Sequence, residues 1–154
     1  MKYFKYLSYV IRHKWFVFVE CCKMGIIWRG LLHDLSKLLP DEFFPYVNYF
    51  YGNKKVRDET DDKAFDFAWL LHQKKNKHHW QWWILLEDNG EIKIFDMPLE
   101  YKKEMLADWK GAGRALGHGD DVREWYGKNK NKMQLHPETR SWIEKQIRYL
   151  SKLA

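Results

Sequence analysis

FKYLSYVIRHKWFVFVECCKM, from Phe4 to Met24, is the stretch on which the fold class turns. It contains neither proline nor glycine, so nothing interrupts a helix before Gly25. Leu7, Val10, Ile11, Phe18 and Cys21 recur at spacings of three, four and seven, which predicts one buried stripe. His13 lies off the centre of that stripe, where its ring can face an interior cleft.

The same pattern continues outward. A second helix is predicted over roughly 26 to 38, stopped by Pro40. Pro40 opens a third helix with Asp41 and Glu42 in its first turn, running to about Tyr51 and ending at Gly52-Asn53. The charged stretch Asn53 to Asp62 reads as a surface loop. A fourth helix starts near Lys63 and continues through His72 to about His79. The pattern then changes: residues 82–95 carry Asp88-Asn89-Gly90 between apolar runs and predict a small β-hairpin. Pro98 opens a helix through Asp108 toward Leu116, with Gly111, Ala112 and Gly113 offering small surfaces for close packing. A short helix over 120–126 and a last one from Pro137, with Trp142, Ile143, Ile147 and Leu150 on its apolar face, complete a mainly α chain. No repeat or linker divides it, so residues 1–154 are expected to form a single helical domain.

Composition bounds the function. Hydrophobic residues make up 45% and charged residues 31%, which excludes a disordered chain. A formal net charge of +6 favours anionic partners, among them phosphate esters, nucleotides and nucleic acid. Cys21 and Cys22 are neighbours that bridge only with severe strain, so no disulfide framework is expected and a reducing cytoplasm is the expected location. Glu20 and Lys23 interrupt the apolar run from Trp15 to Trp28, which argues against a membrane span.

The strongest chemical signal is His33-Asp34-Leu35-Ser36-Lys37. A neighbouring imidazole and carboxylate on one helix can reach the same divalent ion, and Lys37 lies on nearly the same face as His33. There an ammonium can hold a phosphate oxygen. His72, Asn76 and His79 share a helix face in the predicted fourth helix, while His78 points elsewhere unless that helix unwinds. These polar groups suit a second ion or a phosphate, and they equally suit a solvated helix end. Glu42 either acts as a base or complements its helix N-terminus. Arg114 can reach a phosphate or form a surface ion pair. Asp66 competes with Asp108 as a distant carboxylate.

The order His13, then His33-Asp34, then Asp108 resembles the HD-domain superfamily of metal-dependent phosphohydrolases, which are helical bundles. His33-Asp34-Leu35-Ser36-Lys37 is also similar to the HD-x-x-K form of that superfamily's cyclic-dinucleotide phosphodiesterases, although no Gly-Tyr-Pro motif accompanies it. The wider set from His13 through His72-x-x-x-Asn76-x-His78-His79-Trp80 to Asp108-Trp109-x-Gly111-Ala112-Gly113 resembles a small family from phages and bacteria. These resemblances imply that His13, His33, Asp34 and Asp108 hold one ion. They also imply that His72 and His79, with His78 as an alternative, add ligands for a second. Lys37, Asn76 and Arg114 become substrate contacts, with Lys37 and Asp34 catalytic. The implied cofactor is one or two divalent transition ions (Mn, Fe, Ni, Co or Zn).

The leading expectation is therefore a cytoplasmic, metal-dependent phosphohydrolase acting on a nucleotide or other small phosphate ester. The alternative is a non-enzymatic nucleic-acid or protein-binding module, in which interleaved Lys and Trp over 74–83 neutralise backbone and stack bases. A third is an HD-like domain whose ion is structural.

Overall fold

The computed structural model describes residues 1–119 and 122–150. Its order is α1 (Lys2–Lys23), α2 (Ile27–Leu32), a 3-10 turn (Leu35–Leu38), α3 (Pro40–Tyr51), α4 (Glu59–Lys75), a second 3-10 turn (Trp80–Trp83), β1 (Ile84–Leu86), β2 (Ile92–Ile94), α5 (Leu99–Ala115), α6 (Val122–Asn129), a third 3-10 turn (Lys130–Lys132) and α7 (Pro137–Leu150). The mainly α bundle with one antiparallel hairpin is as the sequence predicts. Ile84 pairs with Ile94 and Leu86 with Ile92, and Gly90 takes a positive φ in the connecting turn. Trp82 and Trp83 coil into the 3-10 turn that precedes the hairpin. The predicted start of the short helix at Asp120 lies outside the described residues.

Two apolar cores flank a central helix pair. Tyr6, Val10, Tyr46, Val47 and Ala68 join α1 to α3 and α4, and Tyr49 stacks on Phe65 with centroids 3.8 Å apart. Met97, Met105, Leu106, Tyr126, Ile143 and Ile147 join α5 to α6 and α7. Between them α1 and α5 meet directly, through Val17, Cys21 and Ala107.

The buried line of α1 differs from the predicted stripe. It runs Tyr6, Val10, His13, Val17, Glu20 and Cys21, so Val10 and Cys21 of the predicted stripe are inside while Leu7 and Ile11 face solvent. His13 and Glu20 go inside because both find polar partners there. Hydropathy alone counts them as outward residues.

Gly111 lets α5 approach α1. A Cβ at that position would lie 2.4 Å from Val17 Cγ2 and 2.8 Å from the Val17 backbone nitrogen. The second contact is backbone, so it cannot rotate away. Gly111→Ala is expected to lower stability by about 1–3 kcal/mol, the usual range for overpacking, read as a lower urea midpoint at unchanged slope. It would also move Asp108, one turn earlier on α5, relative to His13.

Candidate metal centre

Five elements contribute to one polar cluster between the cores. His13 points inward from the middle of α1, and Asp108 from α5. His33 and Asp34 follow α2, where the predicted single helix over 26–38 breaks. His33 takes φ −52°, ψ 129° and Asp34 takes φ 52°, the one positive φ of a non-glycine among the described residues. On an unbroken helix neighbouring side chains diverge by about 100°, so both could not enter the same cluster. The left-handed turn, which aspartate tolerates better than most residues, brings them together.

The fourth helix breaks for the same reason. α4 begins at Glu59, where Asp58 caps it by accepting from the Thr60 and Asp61 amides, and ends at Lys75. Asn76 leaves the helical conformation and its side chain donates to the His72 carbonyl at 2.8 Å and to Ser36 Oγ at 2.8 Å. Asn76 thus ties α4 to the first 3-10 turn. The chain beyond it turns so that His78 as well as His79 faces the cluster.

The distances describe two donor sets. His13 Nε2 lies 3.3 Å from His33 Nε2, 3.3 Å from Asp34 Oδ2 and 3.2 Å from Asp108 Oδ1. His33 Nε2 lies 3.3 Å from Asp34 Oδ2 and 3.4 Å from Asp108 Oδ1. Atoms at the corners of a tetrahedron with such edges sit about 2.0 Å from its centre, the usual zinc–nitrogen and zinc–oxygen distance. The second set is Asp34, His72, His78 and His79, whose ligand atoms lie within 4.8 Å of one another. There Asp34 Oδ1 is 3.4 Å from His72 Nε2 and 3.4 Å from His78 Nε2. Asp34 therefore turns one oxygen to each set.

Several of these atoms are buried and lack a hydrogen bond: Asp34 Oδ1 and Nε2 of His72, His78 and His79, while Asp34 Oδ2 has the Lys37 ammonium beside it. Orphaned buried polar atoms are costly, and here they converge on the same small volume. The donor set fits one or two divalent ions with imidazole and carboxylate preferences. Burial alone would raise the Asp34 and Asp108 carboxyls. The His33, Lys37 and His72 charges outweigh it at Asp34, and hydrogen bonds from His13 and His33 at Asp108, so both sit well below the usual carboxylate range. Burial and the neighbouring His78 and His72 push His79 well down, which keeps its ring neutral. Burial would lower His33, but Asp34, Asp108 and Glu104 outweigh it and hold that ring protonated without metal; an ion bound there would displace the proton, since anionic carboxylate and neutral imidazole are the forms that bind metal.

Behind the donors stand two glutamates. Glu104 Oε1 accepts from His33 Nδ1 at 3.1 Å and faces His78 Nδ1 at 3.4 Å, and its Oε2 accepts from Arg29 Nη1 at 3.2 Å. Glu42 Oε2 accepts from His72 Nδ1 at 2.8 Å and from Ser36 Oγ at 3.0 Å. These contacts place the proton on Nδ1 and aim Nε2 at the cluster, as the outer carboxylates of metal-binding histidines do. His33, His78 and Glu104 also lie close enough to hold an ion. That grouping uses the same rings through their opposite nitrogens, so it is the support of the two sets rather than a third.

Glu42, in the first turn of α3, is fully buried with its carboxylate against His72. Glu104 carries no motif in the sequence; its place one turn before Asp108 on α5 is the available signal. Asp66 is exposed on α4 and takes no part. Arg114 lies with Lys110 on Glu20, two turns along α1 from His13 and so about 10 Å away. Lys37 Nζ lies 2.6 Å from Asp34 Oδ2, with its side chain 12% exposed, and Asp34 and Asp108 hold it protonated against the effect of burial.

A family model described as "Family of unknown function (DUF5662)" matches residues 2–149. The chain belongs to this family. Comparison of this DUF5662 member with curated proteins, and with solved structures, gave no significant match. Cys21 and Cys22 are free thiols, and no helix among the described residues is long and apolar enough to cross a membrane.

Proposed function

We propose that this DUF5662 protein is a metal-dependent phosphohydrolase that acts on a small phosphate ester. The observation that carries the reading is the shared carboxylate: Asp34 belongs to two four-residue donor sets, with the Lys37 ammonium against it. When bound, divalent ions held by these residues would supply Lewis acidity toward water and the phosphoryl group. Two such ions with Lys37 would exceed the charge of Asp34, Asp108, Glu104 and Glu42 together, a positive centre that suits an anionic ester. The order His13, His33-Asp34, Asp108 and its resemblance to HD-domain phosphohydrolases support the same conclusion.

The chain's own residues then have distinct tasks. His13, His33, Asp34 and Asp108 would hold one ion, and His72, His78 and His79 with Asp34 would hold the other. Glu104 and Glu42 fix ring orientation. Lys37 neutralises charge on the phosphoryl oxygens as it builds up. Asp108, partly exposed at 13%, marks the side from which substrate enters.

Protein purified without chelators is expected to contain close to two transition ions per chain and to hydrolyse members of a phosphomonoester and phosphodiester panel with Mn²⁺, Fe²⁺ or Ni²⁺. Lys37→Met should keep the metal and lower kcat/KM by roughly 100-fold, as for loss of one charge-stabilising donor. A metal-free protein that stays inactive after loading would defeat the proposal.

A further inference from the structure

A cleft of about 580 Å³ starts at the metal centre, where Asp108 and His79 line it, and follows α5 to Leu116. Eight helical residues correspond to about 12 Å of length. Such a volume lies within the 300–1,000 Å³ or so typical of sites that enclose a small organic molecule. It is too small for a folded partner and leaves ample room beyond a phosphate.

The walls are unusual in composition. Trp69, Trp80, Trp109 and Trp125 all line this one cleft. Ala112 and Gly113 keep the α5 side low between them. Trp125 is 41% exposed, and its ring centroid lies 5.0 Å from that of Trp109, which in turn stacks on Tyr126. Trp125 is thus packed at 44° against Trp109 and keeps part of its indole exposed along the cleft. Of the cations that line it, Lys110 pairs with Glu20 and Lys128 with Glu124, while Lys132 donates to Asn129 Oδ1. Beyond the metal end, the cleft presents mostly aromatic surface, with His118 and Lys132 as further polar lining.

We infer that this cleft receives the leaving group of the ester, and that this group carries a planar heteroaromatic ring, as a nucleoside 5′-monophosphate does. The inference rests on the phosphohydrolase reading for the phosphate end and on the tryptophans for the other. Indole stacks on any nucleobase face, so ring recognition needs no base-specific hydrogen bonds. In the reaction a water oxygen bonds to phosphorus and the ester P–O bond to the nucleoside breaks. The nucleoside oxygen takes up a proton, giving nucleoside and inorganic phosphate.

Binding is measured on Mn²⁺-loaded full-length protein by calorimetry. The probes are methylene-phosphonate analogues of the four common nucleoside 5′-monophosphates, which resist hydrolysis, and the corresponding analogue of ribose 5-phosphate. At least one nucleoside analogue is expected to bind about tenfold tighter than the ribose analogue, as one stacked ring provides. Trp125→Ala should collapse that preference toward unity, and Trp125→Phe should retain part of it. Trp80→Ala serves as a second truncation if the first fails to fold. Equal affinity for ring-bearing and ring-free analogues, or a preference that survives both truncations, overturns the inference. The two readings separate cleanly. A tryptophan-dependent ring preference without turnover of any nucleoside monophosphate supports the ring subsite and removes the hydrolytic reading. Turnover of ribose 5-phosphate at the same kcat/KM as the nucleotides overturns the ring subsite and keeps hydrolysis.

Discussion

Asp34→Asn is expected to empty both donor sets together and abolish hydrolysis. The substitution keeps the side-chain shape but removes the charge that both sets share, through Oδ2 toward His13 and His33 and Oδ1 toward His72 and His78. An amide oxygen ligates weakly, and the amide nitrogen presents hydrogens to whichever set it faces. Affinity at each set should fall by at least about 100-fold, the upper end of what loss of an outer-shell partner alone costs. His13→Ala and His72→Ala act as one-sided controls, since each belongs to one set only. Elemental analysis should then read close to two ions per chain in the parent, about one in each histidine variant and almost none in Asp34→Asn.

The same change leaves the Lys37 ammonium buried without its partner at 2.6 Å. Breaking a buried pair from one side typically costs about 3–5 kcal/mol, so lost metal could be confused with lost fold. Asp34→Asn combined with Lys37→Met removes both charges and should recover most of the stability while remaining empty. An Asp34→Asn protein that keeps one tightly bound ion would show that the carboxylate is not shared.

The sequence made the donors legible and hid what aims them. His13, His33, Asp34 and Asp108 follow a recognisable order; His13 and Asp108 stand on the helices expected, whereas His33 and Asp34 stand where the second helix breaks. Most helix ends were also legible, because proline and glycine mark them: Pro40, Gly25, Gly52 and Pro137 all stand at or beside an observed boundary. Hidden was the left-handed turn at Asp34. Periodicity reads through a single residue whose conformation is set by long-range contacts to α1, α4 and α5. The unwinding after Lys75 was hidden for a similar reason: Asn76 holds it through Ser36, which is distant in the chain. Glu104 and Glu42 look like ordinary helix glutamates, since a buried charge is recognisable only by its partners. The misplaced stripe of α1 follows from the same blindness, because His13 and Glu20 are inside only by virtue of Asp108, Lys110 and Arg114.

Glu104→Gln tests that outer layer, with effects on metal and on pH. Glu104 supports His33 of one set and His78 of the other, whereas Glu42 supports only His72 of the second. Replacing Glu104 should weaken both ions by roughly 10–100-fold, and Glu42→Gln should weaken one by a similar factor. A mere packing role would lower stability without this split, so competition against a calibrated chelator decides between them. For the metal-free protein the sign follows from the carboxyl itself. Burial would raise it, but the hydrogen bonds from His33 and His78 prevail and bring it from 4.5 down to about 2. The folded chain thus binds this proton less readily than the unfolded one, and stability rises with pH. The contribution, about 3 kcal/mol for a shift of that size, is complete above pH 4.5 and is lost as the pH falls toward 2. Urea unfolding in excess chelator should show wild type well above Glu104→Gln at pH 7, with the gap narrowing steadily below pH 4.5. A gap that stays constant down to pH 3 would mean that the carboxylate charge is not what holds His33 and His78 in place.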